Sequence, residues 1–208
     1  IAVAQRIDIM INIPADPGVY SMIAQGEGTD MQTGLILAAG QGSISPIKEK
    51  AQNIAGALSY VQEKKLKARF PLSKKKIDRR LILNLDGNME KYLWMLNGKA
   101  WPNFQPLLVK EGERVELSFV NQTMMAHPMH LHGHFFQITE INGEPFEGAL
   151  RDTILVLPHS TVKVQFDANN PGHWALHCHN LYHQYAGMMT TLNYEGFQGP
   201  VFKIQPEH

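Results

Sequence analysis

Residues 172–194 read Gly-His-Trp-Ala-Leu-His-Cys-His-Asn-Leu-Tyr-His-Gln-Tyr-Ala-Gly-Met-Met-Thr-Thr-Leu-Asn-Tyr. Two short apolar runs, Gly172 to Cys178 and Met189 to Tyr194, flank a loop that carries His179, His183, Gly187 and Met188. Short runs bounded by turn residues predict strands. The same pattern recurs upstream. Glu113 to Asn121 alternates, with Val115, Leu117 and Phe119 expected to face inward. Leu81 to Leu85 stops at Asp86-Gly87-Asn88, and Phe135 to Ile141 stops at Asn142-Gly143. Tyr92 to Leu96 runs into Asn97-Gly98, a strong hairpin signal. Thr153 to Leu157 and Val162 to Phe166 flank Pro158-His159-Ser160. About eight short strands in about 125 residues predict an all-β Greek-key sandwich over residues 81–208.

The first 40 residues also read as β-structure. Arg6 to Ile13 alternates apolar and polar residues until Pro14-Ala15-Asp16-Pro17-Gly18 breaks it. Val19 to Ala24 and Gly34 to Ala39 predict two more strands. Three strands cannot close a sandwich, so residues 1–40 are expected to be the C-terminal part of a preceding β-domain. Ile1 at the start, with no leader before it, reads as a chain that begins inside a larger product.

Residues 41–80 predict a basic, partly helical linker. Good helix formers fill 47–68, with Ile47, Ile54, Leu58, Val61 and Leu66 as a ragged apolar stripe. Lys64 to Arg80 holds nine basic residues against one acid, Asp78, and reads as a solvated connection. Phe70 is its one aromatic residue, short of the repeated aromatic interleaving that a nucleic-acid surface requires.

Composition narrows the function classes. Nineteen basic and nineteen acidic residues among 208 leave a net charge of zero. That removes the electrostatic case for nucleic acid or an acidic membrane as partner. No apolar run approaches the roughly 18 residues of a transmembrane helix, so no membrane insertion is expected. One cysteine precludes an internal disulfide, and beside ten histidines and ten methionines it points to metal or redox chemistry.

Seven of the ten histidines fall in two clusters. The first is His127-Pro128-Met129-His130-Leu131-His132-Gly133-His134, and the second is His177-Cys178-His179-Asn180-Leu181-Tyr182-His183. Residues two apart on a strand share a face. His130 and His132 therefore present imidazoles to one side, as do His177 and His179, while Cys178 faces the other way. One Cys, two His and a weak Met is the blue-copper donor set. Cys178, His183 and Met188 lie in one loop, and His127 can supply the second imidazole. Zinc competes for Cys and His, but the His-Cys-His alternation and the methionine closing the loop favour copper.

These clusters resemble the two C-terminal copper motifs of the multicopper oxidases, a family that includes laccases and bacterial cuprous oxidases. Asn97-Gly98-Lys99, the strand from Val109 to Asn121 and Arg151-Asp152-Thr153 also resemble that family's last cupredoxin domain. Arg6-Ile7-Asp8-Ile9 and Gly18-Val19-Tyr20 resemble the end of its middle domain. The resemblance implies a cupredoxin-like sandwich at 81–208, preceded by strands of an incomplete second cupredoxin domain.

It further implies a type 1 copper on His127, Cys178, His183 and Met188. A type 2 copper would sit on His130 and a type 3 pair on His132, His177 and His179, in a complete enzyme of four coppers. Electrons would pass from Cys178 through His177 and His179. Four further histidines are expected from N-terminal cupredoxin domains outside this sequence, so the 208 residues alone are expected to be inactive toward O2. The implied activity is one-electron oxidation of Cu(I) or a small organic, phenolic reductant, coupled to reduction of O2 to water. A copper-resistance protein with little turnover is the alternative. Met124 and Met125 are expected to bind Cu(I), although Thr123 stands where cuprous oxidases carry an acid. The implied compartment is the bacterial periplasm or another extracytoplasmic space. Arg151-Asp152 is expected as an ion pair at a strand end. His134, His159, His173 and His208 are expected to bind no metal.

Overall fold

The computed structural model describes residues 1–13 and 15–200. Pro14 and His208 lie outside the described residues. The chain divides into two compact units, one of residues 7–59 and the other of residues 1–6 together with Tyr60 onward.

The smaller unit is built on an antiparallel hairpin of β1 (Gly18–Gln25) and β2 (Gln32–Ala39), paired from Gly18 with Ala39 to Gln25 with Gln32. Arg6 to Ile13 forms no strand, contrary to expectation. Its isoleucines are exposed, and no described strand offers them a ladder. Alternation alone cannot satisfy backbone groups, so the segment stays irregular. The helix expected within 47–68 shrinks to one 3-10 turn, Glu63–Lys65. The backbone upstream bonds to the hairpin loop instead. Ala51 N donates to Asp30 O at 2.7 Å, Ala55 N to Thr29 O at 2.9 Å, and Gln32 N to Glu49 O at 2.8 Å.

The larger unit is a sandwich of two sheets. Its strands are β3 (Arg79–Asn88), β4 (Leu93–Leu96), β5 (Leu107–Val109), β6 (Arg114–Asn121), β7 (His127–Leu131), β8 (Phe136–Ile141), β9 (Glu144–Pro145), β10 (Leu150–Arg151), β11 (Thr153–Val156), β12 (Thr161–Asp167), β13 (His173–Cys178) and β14 (Met189–Tyr194). One sheet runs β10-β8-β12-β6-β3-β4, with β9 on β8, and the other runs β11-β7-β13-β14-β5. β3 with β6 and β5 with β14 are parallel pairs, joined by crossings between the sheets. Val115, Leu117 and Phe119 of β6 are fully buried, as the alternation predicts. They pack with Leu83, Leu85, Phe136, Ile138, Val164 and Phe166 into one core. Asn97 and Gly98, like Asn142 and Gly143, take the left-handed conformations that tight hairpin turns require.

The basic stretch is no free linker within the larger unit. Arg151 forks onto Glu63 at 2.8 and 3.0 Å, and Ala68 N donates to Gly148 O at 3.1 Å. Buried Arg114 donates to Ser73 O at 2.9 Å while pairing with Asp167 at 2.9 and 3.1 Å. The lysines of 64–76 point outward while their backbone is pinned. Arg151 and Asp152 therefore do not pair with each other. Arg151 holds Glu63, and Asp152 holds Arg6.

Candidate metal centre

The centre grows from the pairing of β7 with β13. Cys178 lies opposite Met129, His177 opposite His130, and Leu176 opposite Leu131. Alternation then sorts the side chains. His127, Met129, Leu131, Leu176 and Cys178 are all buried, those of one parity turning into the core. His130 and His177 turn to the opposite face. The chain leaves β13 into α1 (Leu181–Tyr185), where the Asn180 side chain accepts from Tyr182 N and caps the helix. One helical turn brings His183 back beside Cys178. Gly187 then reverses the chain at φ 114, where a Cβ would lie 2.7 Å from Ala100 Cβ and 2.8 Å from Trp94 O. Met188 N donates to His183 O at 3.0 Å, and Cys178 N donates to Met188 O at 3.1 Å. The loop thus closes with Met188, fully buried, bonded through its backbone to both Cys178 and His183.

Three donor atoms converge on one point. Cys178 Sγ is 3.7 Å from His127 Nδ1 and 3.8 Å from His183 Nδ1, and the two nitrogens are 3.1 Å apart. Tetrahedral bonds of about 2.0–2.3 Å to a metal place such atoms about 3.3–3.6 Å from one another. The set therefore fits a single ion with little adjustment. Burial pushes the His127 imidazole down to about 3, with His183 adding like-charge repulsion, and burial holds His183 at about 4. Both rings are neutral at pH 7, as metal ligands must be. Burial pushes the Cys178 thiol up to about 12, so a cation at this point would have to displace its proton.

Two residues outside the expected ligand set complete this face. The Trp94 ring lies 4.1 Å from His183 and 5.1 Å from His127, centre to centre, and walls the donors from water. The hydroxyl of Thr123 lies 2.8 Å from His127 Nε2. It gives its own proton to Asn121 Oδ1 at 2.9 Å and so accepts from the ring. That bond leaves the Nδ1 lone pair aimed at Cys178. The sequence shows Trp94 only as one apolar residue of a strand, and its role depends on tertiary register.

On the opposite face His130, His132 and His177 offer ring nitrogens within 4.8 Å of one another. His132 Nε2 and His177 Nε2 are 3.0 Å apart. His177 Nδ1 donates to Cys178 O at 3.0 Å, and His130 Nδ1 to Asp152 O at 2.9 Å, which fixes both rings with Nε2 free. The His179 ring is 5.4 Å from that of His177 and 5.6 Å from that of His130, and its buried Nδ1 has no partner among the described residues. Burial lowers all three titrating neighbours, His130, His132 and His177, the last to about 4. Burial would raise the Asp152 carboxyl, but Arg6 and Thr153 hold it below the usual carboxylate range.

The remaining predicted residues separate. Met125 is partly buried against the core, while Met124 is exposed. His134 is stacked on Tyr194, with its Nε2 2.6 Å from the phenol oxygen, in neither donor group. His173 lies on β13 away from both groups, and His159 touches Met124.

The family profile of the multicopper oxidases matches residues 76–196. Multicopper oxidase MmcO of Mycobacterium tuberculosis is 38% identical over 194 residues, which is 93% of this chain and 38% of that protein. Copper resistance protein A of Escherichia coli is 38% identical over 117 residues, 56% of this chain and 19% of that protein. This chain therefore spans well under half the length of the curated relatives it matches. Among solved structures, a blue copper oxidase from Nitrosomonas europaea superposes with a TM-score of 0.53 at 25% identity, covering 68% of this chain and 48% of the other. A multicopper oxidase from Campylobacter jejuni, described as a metallo-oxidase, shares the fold at a TM-score of 0.59 and 22% identity, covering 88% and 42%.

Proposed function

This chain belongs to the multicopper oxidase family, and on that premise we propose that it carries the substrate-oxidising copper site and half of the oxygen-reducing site of a longer enzyme. His127, Cys178, His183 and Met188 would hold a type 1 copper. His130 would hold the type 2 copper, and His132, His177 and His179 the type 3 pair. Copper at these places supplies one-electron chemistry, taking electrons singly from a reductant and delivering them to O2, which becomes water.

The residues of the chain do the rest. His127, Cys178 and His183 pre-position three donors with two imidazoles already neutral. Thr123 and the carbonyls of Asp152 and Cys178 fix ring orientation. Trp94 excludes water from the core face. Cys178 is joined by one peptide bond on each side to His177 and His179, so a short covalent path links the two faces. The observation that carries the reading is this back-to-back arrangement, three convergent donors on one face and imidazoles on the other. Four more histidines would come from cupredoxin domains outside these 208 residues. The reductant would be Cu(I) or a phenolic donor, with Met125 and Met124 on the approach to His127, and the compartment would be periplasmic.

The copper resistance proteins that match at 38–40% identity favour a second reading, copper binding with little turnover. Oxygen uptake separates the two. The full-length, copper-loaded protein should consume O2 steadily with Cu(I) or a phenol, and His130→Ala should stop it while the blue colour remains. A copper-loaded blue protein that takes up no O2 with either reductant contradicts the oxidase reading. The 208-residue chain alone should take up none.

A further inference from the structure

The core-face donors cannot be touched from outside. His127 is 0% exposed, His183 is 1% exposed, and Cys178 and Met188 are fully buried. Further domains packed around this unit could only bury them more. An organic reductant too large to enter the core must therefore hand its electron to another group first.

Among the described residues, one ring that reaches solvent lies beside these imidazoles. Tyr92 is 42% exposed. Its centre is 6.4 Å from that of His183 and 6.2 Å, edge on, from that of Trp94. Trp94 in turn lies 4.1 Å from His183. Tyr92, Trp94 and His183 thus make a continuous set of ring contacts from solvent to the donors.

The backbone holds Tyr92 there in an uncommon conformation. β3 and β4 close on the pair Asn88 and Leu93, so Met89 to Tyr92 make the turn. Tyr92 ends it at φ 48, a left-handed conformation that bulky residues rarely adopt. Gly or Asn would fit such a position with less strain, so turn chemistry does not account for a tyrosine. Core packing does not account for it either, because the residue faces water. Its surroundings are fixed. Lys91 N donates to Asn88 Oδ1 at 2.9 Å, and Trp94 N donates to Ala186 O at 3.3 Å, which ties β4 to the end of the helix that carries His183. A Cβ on Gly87, opposite Trp94, would lie 2.7 Å from the indole. Strain of this kind persists where the surroundings impose it, and it clusters at functional sites.

We propose that Tyr92 is the electron-entry residue for aromatic reductants. The reductant rests on the exposed ring, and its electron crosses Tyr92 and Trp94 to His183. This use of the ring rests on the copper reading given above. A phenol loses one electron, gives its hydroxyl proton to water and leaves as a phenoxyl radical. The oxidised copper on the buried donors gains that electron. Tyr92 and Trp94 bridge the two and end unchanged. A Cu(I) ion arriving by Met125 and Met124 makes no use of the ring.

The test compares Tyr92→Asn, which tolerates the left-handed turn and removes the ring, with Tyr92→Phe, which keeps the ring. The blue band of the full-length, copper-loaded, oxidised protein is followed in the absence of O2 while guaiacol or Cu(I) is mixed in. Before mixing, both variants should show the wild-type band, so the buried centre is intact. Below saturation, bleaching by guaiacol should slow about 2- to 10-fold in Tyr92→Asn, the worth of one aromatic contact, and stay unchanged in Tyr92→Phe. Bleaching by Cu(I) should be unchanged in both. A purely structural Tyr92 would slow both reductants alike or neither. A second measurement needs no copper. Guaiacol, followed by its proton NMR signals, should bind metal-free full-length wild type and Tyr92→Phe equally, and Tyr92→Asn about 2- to 10-fold more weakly. Wild-type bleaching and wild-type binding of guaiacol by Tyr92→Asn would overturn the proposal. A wild type without a blue band would overturn the copper reading instead, and the binding comparison would still decide whether phenols rest on Tyr92.

Discussion

The two faces of the β7–β13 pair carry the same kinds of side chain to different ends. On the core face three donor atoms meet within 3.8 Å, every residue is buried, and Trp94 and the Met188 loop close the space. On the other face four imidazoles gather, but His132 is exposed and His179 Nδ1 has no partner among the described residues. The core face is a closed set of three convergent donor atoms. The other face is an open set whose free nitrogens point away from the sandwich's own core. Period-two alternation along β7 and β13 makes this division for His127, His130, His177 and Cys178, while His183 returns from α1 and His132 and His179 follow the strand ends.

The contrast can be broken most forcefully at its wall. Trp94 is 1% exposed and packs on both core-face imidazoles, so Trp94→Ala should cost about 3–5 kcal/mol in a denaturant titration. An equivalent truncation on the open face, His132→Ala, should cost less than about 1 kcal/mol. Similar losses from the two would erase the distinction.

Acid sharpens it next. His127, His177 and His183 stay neutral in the folded chain down to about 3, 4 and 4, well below the ordinary 6.5 of the unfolded chain. The unfolded state therefore binds protons first, and stability falls as pH drops below about 6.5. Each ring should remove roughly 2 kcal/mol between pH 7 and pH 5 from the metal-free chain. Denaturant titrations at the two pH values should show this fall, and His127→Gln should reduce it. A stability that does not change between them contradicts the burial of these rings as neutral groups.

Smaller effects should follow the bonds behind the core face. Asn121 donates to three carbonyls, so Asn121→Ala should cost about 2 kcal/mol. Thr123→Val keeps the shape and removes the hydroxyl that holds His127 Nε2, at about 1 kcal/mol. It should also shift the visible band of the copper-loaded protein, and Thr123→Ser should restore the position. Met125→Leu should change stability by less than about 1.5 kcal/mol. In the complete enzyme it should slow Cu(I) oxidation more than oxidation of a bulky phenol, and equal effects on both would make Met125 a packing residue.

What the sequence made legible follows the same physics. The alternation from Glu113 to Asn121, the turns at Asn97-Gly98 and Asn142-Gly143 and the His-Cys-His spacing depend on neighbours in the chain, and each lands where it was read. Arg6 to Ile13 has equally good alternation but no strand beside it, and the pattern cannot report whether a ladder partner exists. The helix formers of 47–68 were outbid by backbone bonds to the β1–β2 loop. Trp94, Thr123 and Asn121 matter through contacts set by register and loop geometry. No local signal distinguishes them from any other buried Trp, Thr or Asn.

The central claim is that Cys178 supplies the thiolate of a copper site on the core face. Its most direct test is the visible spectrum of the copper-loaded full-length protein beside Cys178→Ser. The wild type should show an intense blue absorption and the variant none, because Cys178 is the only cysteine among these 208 residues and lies against His127 and His183. A blue band that survives the substitution would contradict it.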